Sequence, residues 1–285
     1  MSTGPNGSTG AGTPAASPGI WLLGMRPRTL TMAAVPVTVG AALAWAEGAS
    51  PDWFTFLVTF ACAVLIQIGT NLFNDARDGE RGADGPDRIG PVRITGSGLA
   101  QPRQVRRAAI ACFVAALIAG LYLIVVGGLP ILAIGAASLV AGYAYSSGPR
   151  PLSHGPFSEV YVIVFFGLIA VAGSHYLQSG VMPDVAVLLT GIAVGSYAAA
   201  VLLVNNLRDT AADLRAGRKT LAGRLGPTGA KWLYGFLLLA PFPLLAAAWG
   251  WRALGIVWLA LPVCLWLAAL FARMPVGPGM NAQLG

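Results

Sequence analysis

The chain has 285 residues, of which 56% are hydrophobic and only 10% are charged, and its formal net charge is +7. Its mean hydropathy of +0.69 is far above that of a soluble domain, so the composition excludes an ordinary soluble globular protein. The hydrophobic residues stand in long runs, and a membrane-spanning helix needs about 20 of them. We therefore predict an all-α integral membrane protein.

In chain order, the sequence divides into a tail, one large domain and a short end. Residues 1–18 are small or polar, carry no charge and are predicted to be disordered. Residues 19–273 are predicted to form one intramembrane domain, which residues 274–285 follow as a short C-terminal tail. Eight apolar runs are long enough to be spans: about 29–46, 53–73, 108–126, 129–147, 157–177, 185–204, 232–249 and 253–271.

The basic residues are distributed very unevenly between the two sides of such a bundle. When the eight spans alternate in direction, all of the 18 Lys and Arg residues except Arg252 fall on one side. Cytoplasmic loops carry the excess of Lys and Arg in membrane proteins. We therefore predict that this side, with the N-terminus, is cytoplasmic.

A first acidic cluster follows the second span, in the sequence N-L-F-N-D-A-R-D. It contains Asn71, Asn74, Asp75 and Asp78, at positions i, i+3, i+4 and i+7. If the helix of the second span continues past Asp78, these four side chains share one face.

A second cluster follows the sixth span, in N-N-L-R-D-T-A-A-D. It contains Asn205, Asn206, Asp209 and Asp213, and three of these again share a helical face. The two clusters lie 134 residues apart, which suggests an internal duplication of a four-helix unit.

Carboxylates one helical turn apart repel each other, and a bound cation relieves this repulsion. Mg²⁺ prefers oxygen ligands and often binds one or two carboxylates together with substrate phosphates. Two facing carboxylate pairs therefore predict an Mg²⁺–diphosphate site. The alternative is that these acids are solvated helix ends that pair with nearby arginines.

Basic and aromatic residues in three loops of the same side complete the pattern. Arg88 and Arg93 follow the first cluster, and Arg218 and Lys219 follow the second. Arginine offers a two-pronged donor for phosphate, and lysine offers a point charge. The remaining loop brings Tyr145, Arg150, His154 and Glu159 to this side; His154 is interpreted as a surface residue. Glu159 is interpreted first as a carboxylate at a helix start, favoured by the helix dipole, rather than as a catalytic group.

The motifs N-D-x-x-D after the second span and D-x-x-x-D after the sixth resemble those of the UbiA superfamily of intramembrane prenyltransferases. The longer N-L-F-N-D-A-R-D-G-E-R-G-A-D-G-P-D-R-I-G-P-V-R and N-N-L-R-D-T-A-A-D-L-R-A-G-R-K-T-L-A-G-R-L-G are similar to signatures of its 1,4-dihydroxy-2-naphthoate branch, in menaquinone biosynthesis. The resemblance runs from about residue 21 to 273. Many superfamily members have a further Asp where Gly82 stands here; the next acid is Asp84, a shift that the naphthoate branch shares.

The resemblance implies transfer of a polyprenyl group from polyprenyl diphosphate to 1,4-dihydroxy-2-naphthoate, with loss of CO₂ and diphosphate, to give demethylmenaquinone. The implied catalytic carboxylates are Asp75, Asp78, Asp209 and Asp213, which with Asn74 would hold Mg²⁺. The candidate substrate-binding residues are Asn71, Asn74, Arg88, Arg93, Tyr145, Arg150, Asn205, Asn206, Arg218 and Lys219.

The resemblance also implies a setting for the protein. It would lie in a bacterial plasma membrane in contact with lipid, and no nucleic-acid partner is expected. The family fold has nine spans, so we expect that this chain is a C-terminally shortened form without the ninth.

Two alternative functions stay open at this point. The acceptor could be another aromatic compound, such as 4-hydroxybenzoate or homogentisate. The protein could instead be a non-enzymatic transporter, although ionisable residues on a permeation path lie within the spans, whereas these acids lie at span ends.

Overall fold

The computed structural model describes residues 17–80, 93–146, 151–215, 217–252 and 255–275, without the side chains of Tyr143 and Ser146. Throughout these residues the regular structure is helical. The α-helices are α1 Pro18–Met25, α2 Pro27–Ala46, α3 Trp53–Glu80, α4 Pro102–Ser146, α5 Ser158–Val162, α6 Ala170–Ser179, α7 Val185–Arg208, α8 Thr210–Arg215, α9 Leu221–Leu239, α10 Pro241–Trp249 and α11 Ala260–Arg273.

Two long helices, α3 and α7, begin in the same way at the end of the bundle away from the acidic clusters. The Asp52 carboxylate accepts a hydrogen bond from the Thr55 N–H at 3.0 Å, and Asp184 accepts one from the Val187 N–H at 2.9 Å. An acidic side chain in this position satisfies a backbone donor that the helix itself leaves unpaired. These matched hydrogen bonds determine where both helices begin.

Seven helical segments among the described residues are long and apolar enough to cross a membrane. One of them, Pro102–Gly142, has 41 residues and would extend about 60 Å, twice the thickness of the hydrocarbon layer. Gly128 interrupts it with φ 64° and ψ −149°, a conformation open to glycine. The parts on either side of Gly128 therefore supply two crossings, which accounts for the difference from the eight predicted spans. The protein is a multi-pass membrane protein.

Two clusters of buried apolar side chains lie near the ends of the helices that carry the acidic motifs. The first joins Leu72 and Ala76 of α3 to Ile94 and to the start of α4. The second joins Leu203 and Leu207 of α7 to residues of α9, α10 and α11. Each cluster therefore supports a helix end that carries acidic side chains.

The segment between α5 and α6, Ile163–Ile169, is π-helical and packs closely against α7. A Cβ atom on Gly167 would overlap the carbonyl oxygen of Gly191 and the backbone of Gly195. Small residues four positions apart allow helices in a membrane to approach this closely. The approach draws the start of the fifth span towards the end of α7, where the second acidic motif lies.

Candidate active site

The first acidic motif lies on α3, which continues without a break to Glu80, as the sequence predicted. Asp75 in this motif is 0% exposed. Its carboxylate accepts hydrogen bonds from the N–H of Ile94 at 3.1 Å, from the N–H of Thr95 at 2.9 Å and from the Thr95 hydroxyl. Asp75 therefore fastens the segment that precedes α4 onto α3, while its role as a metal ligand stays a prediction.

Gly79 makes this attachment possible. A Cβ atom at Gly79 would overlap the Thr95 side chain. The Thr95 hydroxyl lies there because its single hydrogen is within bonding distance of both the carboxylate and the carbonyl oxygen of Asp75. The absence of a side chain at Gly79 therefore has a steric reason that the sequence pattern did not reveal.

A chain of ion pairs joins the two acidic motifs. Arg93 pairs with Asp78 and donates to the carbonyl oxygen of Asn74 at 2.9 Å. Arg218 lies 3.4 Å from Asp78 through one guanidinium nitrogen and 3.4 Å from Asp213 through another. Residues 140 positions apart therefore meet at one end of the bundle. This geometry brings together five predicted site residues, and both acids are paired to arginines.

The second motif spans the junction between α7 and α8. Asp209 follows the last residue of α7, and the N–H of Asp213 donates to the Asp209 carbonyl at 2.9 Å, so helical hydrogen bonding continues across the junction. Arg208 donates to the two carboxylate oxygens of Asp209 at 2.8 and 2.7 Å. Such a two-pronged pair fixes the orientation of the carboxylate. Arg208 was not among the predicted site residues.

Glu159 is a second residue that the sequence did not assign to the site. It lies in the first turn of α5, as predicted, but it is only 3% exposed. Its carboxylate accepts from Asn206 Nδ2 and from the Ser158 hydroxyl, each at 2.9 Å. A carboxylate only accepts, so this contact determines that the Asn206 amide turns its oxygen away from Glu159. The useful signal in the sequence was an acid beside a membrane-spanning run.

The structure places the other predicted residues as follows. Tyr145 stacks on Tyr161, with ring centroids 4.8 Å apart, and Tyr161 stacks on Phe165 at 4.6 Å. Asn71 donates to the carbonyl of Met25 and to the hydroxyl of Thr29, each at 2.9 Å, and so fastens the α1–α2 junction.

Lys219 and Asn205 contribute backbone contacts to the loops around the site. The N–H of exposed Lys219 donates to the carbonyl of His154 at 2.8 Å, which joins two loops of the same side. The carbonyl of half-buried Asn205 accepts from the N–H of Asp209 at 3.0 Å. Arg88 and Arg150 lie outside the described residues.

The donor chemistry of this region suits a hard cation. Within the described residues no three His, Cys, Asp or Glu side chains are already arranged to hold a metal ion. The available groups are carboxylates, of which Asp78 and Asp213 share Arg218 through long contacts of 3.4 Å. Mg²⁺ commonly takes one or two carboxylates and completes its shell with water and substrate phosphates. The residues present therefore fit Mg²⁺ bound together with a diphosphate.

A multi-pass helical bundle with two acidic helix ends joined at one end is the architecture of an intramembrane prenyltransferase. Residues 33–277 match the UbiA prenyltransferase family, and the chain belongs to this family. The resemblance seen in the motifs is thereby confirmed.

Curated relatives and a solved structure extend this result. The chain is 40% identical to the 1,4-dihydroxy-2-naphthoate octaprenyltransferase of Mycobacterium tuberculosis, over 92% of this chain and 88% of the relative. It is 37% identical to the Escherichia coli protein of the same name, over 81% and 79% of the two chains. A UbiA homolog from Archaeoglobus fulgidus, solved with DMAPP and Mg²⁺, has the same fold, with a TM-score of 0.64 at 18% identity, over 88% and 86% of the two chains.

Proposed function

We propose that this protein transfers a polyprenyl group from its diphosphate to 1,4-dihydroxy-2-naphthoate, with release of diphosphate and CO₂, to give demethylmenaquinone in its reduced, hydroquinone form. The observation that carries the proposal is the Arg218 bridge between Asp78 and Asp213. It joins the two acidic motifs in a chain that is 40% identical to a 1,4-dihydroxy-2-naphthoate octaprenyltransferase. We infer the acceptor from the names of the relatives.

The described residues can stabilise the charge that develops in this reaction. The allylic C–O bond breaks and its electrons pass to the leaving diphosphate. A ring carbon forms the new C–C bond, and the electrons of the bond to the carboxylate restore the ring as CO₂ leaves. Arg93 and Arg218 already lie at the acidic motifs and can stabilise the negative charge that grows on the diphosphate. Fixed charges of this kind supply much of the rate enhancement in enzymes.

A divalent cation fits the same region. Asp78, Asp209 and Asp213, with Asn74 and Asp75, would hold Mg²⁺, which neutralises the diphosphate when bound. The pairs of Asp78 and Asp213 with Arg218 rearrange in this proposal, and the guanidinium then turns to phosphate. Asp75 would have to share a carboxylate that Ile94 and Thr95 already occupy.

The proposal includes an orientation in the membrane. The acidic motifs and nearly all basic residues would face the cytoplasm of a bacterial cell, because positive loops stay inside. The polyprenyl tail cannot be accommodated in water, so it would extend from the site between helices towards lipid. Large apolar side chains on the outer surface, such as Val125 at 84% exposure and Ile256 at 80%, favour such a lipid-facing surface.

The test is an assay of the purified protein in lipid with radiolabelled polyprenyl diphosphate and a panel of aromatic acids, with and without Mg²⁺. We expect a prenylated, decarboxylated product with 1,4-dihydroxy-2-naphthoate, and only when a divalent cation is present. A product with 4-hydroxybenzoate or homogentisate instead would show that this compound is the acceptor. The absence of product with every acid would contradict the proposed reaction.

A further inference from the structure

Gln67 is a polar residue in the middle of a membrane-spanning helix, and the proposed chemistry has not used it. It is the fifteenth of the 28 residues of α3, and it is 7% exposed. Its Oε1 atom has no hydrogen-bond partner among the described residues. Buried polar atoms are nearly always paired, and an unpaired one in an apolar interior is costly. This oxygen therefore requires a hydrogen-bond donor.

The direction of Gln67 on α3 relates it to the site. At about 100° per residue, Gln67 lies within about 20° of Asn74 and of Asp78 around the helix axis. Asn71 is rotated by about 40° and Asp75 by about 80° from it. These two bind the α1–α2 junction and the segment before α4, whereas Asp78 pairs with both Arg93 and Arg218 in the ion-pair chain of the site. Gln67 thus belongs to the stripe that faces the site.

The depth of Gln67 is also informative. Gln67 precedes Asn74 by seven residues on α3. It therefore lies about 10 Å deeper in the membrane along the helix axis. If a diphosphate lies beside Asn74, an allylic carbon and a fused pair of aromatic rings extend over a comparable distance. Gln67 is therefore at the depth of the aromatic acceptor rather than of the phosphates.

We propose that Gln67 Oε1 accepts a hydrogen bond from a ring hydroxyl of the aromatic acceptor. The proposal rests on the proposed function and adds a recognition residue to it. An amide oxygen needs a donor; the polyprenyl chain has none, and an ionised diphosphate offers only acceptors. A dihydroxy-aromatic compound supplies the donor. Accepting this hydrogen bond also places more electron density on the ring, which favours attack on the allylic carbon.

The decisive variant is Gln67→Leu, which replaces the amide with an apolar side chain of similar size. We expect the KM for 1,4-dihydroxy-2-naphthoate to rise roughly tenfold, the effect of one lost buried hydrogen bond, while the KM for polyprenyl diphosphate stays the same. The Tm of the substrate-free protein should not fall, because the leucine leaves no unpaired atom.

Gln178→Leu is the matched control at the opposite end of the bundle. The Gln178 amide accepts from Trp45 Nε1 at 2.9 Å and from the Asp52 N–H at 3.1 Å, and it donates to the Asp52 carbonyl at 3.1 Å. Its loss should lower the Tm and leave the KM for the acceptor unchanged. The two glutamine variants therefore separate recognition from stability.

Competitive inhibition by monohydroxy-naphthoates, each without one of the two hydroxyls, identifies the donor. For the wild type, one analogue should bind more weakly than the other, and Gln67→Leu should remove that difference. An unchanged KM for the acceptor in Gln67→Leu, or a fall in Tm like that of Gln178→Leu, would contradict the role of Gln67. Neither result would contradict the proposed function. Failure of the wild type to use 1,4-dihydroxy-2-naphthoate would instead contradict the proposed function.

Discussion

The two acidic helix ends have similar sequences but hold their carboxylates in different ways. Asp75 and Asp209 stand at equivalent positions, 134 residues apart. Asp75 is fully buried and accepts from two backbone N–H groups of a segment that returns to α3. The Asp209 side chain is 24% exposed and pairs with the adjacent Arg208. The first carboxylate is therefore fixed by tertiary structure, whereas the second is held by its own neighbour and can exchange partners.

This contrast predicts the largest effects. Asp209→Ala should reduce turnover at least about 100-fold, the scale of lost electrostatic stabilisation, with little change in Tm. Asp75→Ala should reduce turnover as much and also lower the free energy of unfolding by about 3 kcal/mol, because buried donors lose their acceptor. Activity assays and thermal melts of both variants check this. Equal Tm values for the two variants would show that the ends are held alike.

Gly79→Ala sharpens the comparison from the side of packing. The new methyl group would overlap Thr95 and push the segment before α4 off Asp75, at a cost of about 1–3 kcal/mol. Gly120→Ala is the control, since a Cβ atom there meets no neighbour within 4 Å. Thermal melts should therefore show a lower Tm for Gly79→Ala and no loss for Gly120→Ala. A neutral Gly79→Ala would mean that the segment is free to move.

Glu159 tests how the second end is supported. Glu159→Leu removes the acceptor of Asn206 and should reduce kcat roughly tenfold, because the amide is then free to turn. Glu159→Gln keeps one carbonyl oxygen and should retain more of the activity. The measurement is kcat and KM for each substrate. Equal losses in the glutamine and leucine variants would argue against a role in orienting Asn206.

The smallest effect on stability is expected at the start of α3, the end away from the acidic motif. The hydroxyl and the N–H of Thr55 hold the pKa of Asp52 below its usual value. Asp52 thus contributes stability above the unfolded pKa of about 3.9, and this contribution is lost as the pH falls through the lower folded pKa. In melts between pH 6 and pH 3, the wild type should lose slightly more Tm than Asp52→Asn. Parallel curves would contradict this.

Much of this architecture could be predicted from the sequence, because it rests on local patterns. Apolar runs predicted the spans, and the spacing from Asn71 to Asp78 predicted a helix that continues past the membrane surface. The contacts that define the site are not local. The burial of Asp75 depends on Ile94 and Thr95, and the orientation of Asn206 depends on Glu159. The unpaired oxygen of Gln67 is also a tertiary feature, since the sequence gives no reason to single it out.

The interruption of α4 at Gly128 has a consequence for biogenesis. Between Arg107 and Arg150 the chain carries no charged residue, and the two crossings are joined at a single glycine. We expect such a unit to enter the bilayer as one helical hairpin, because no polar loop has to be translocated between its arms. In the proposed orientation, the arginines outside it would remain on the side where synthesis takes place. A charge introduced near Gly128 would therefore oppose insertion of both crossings at once.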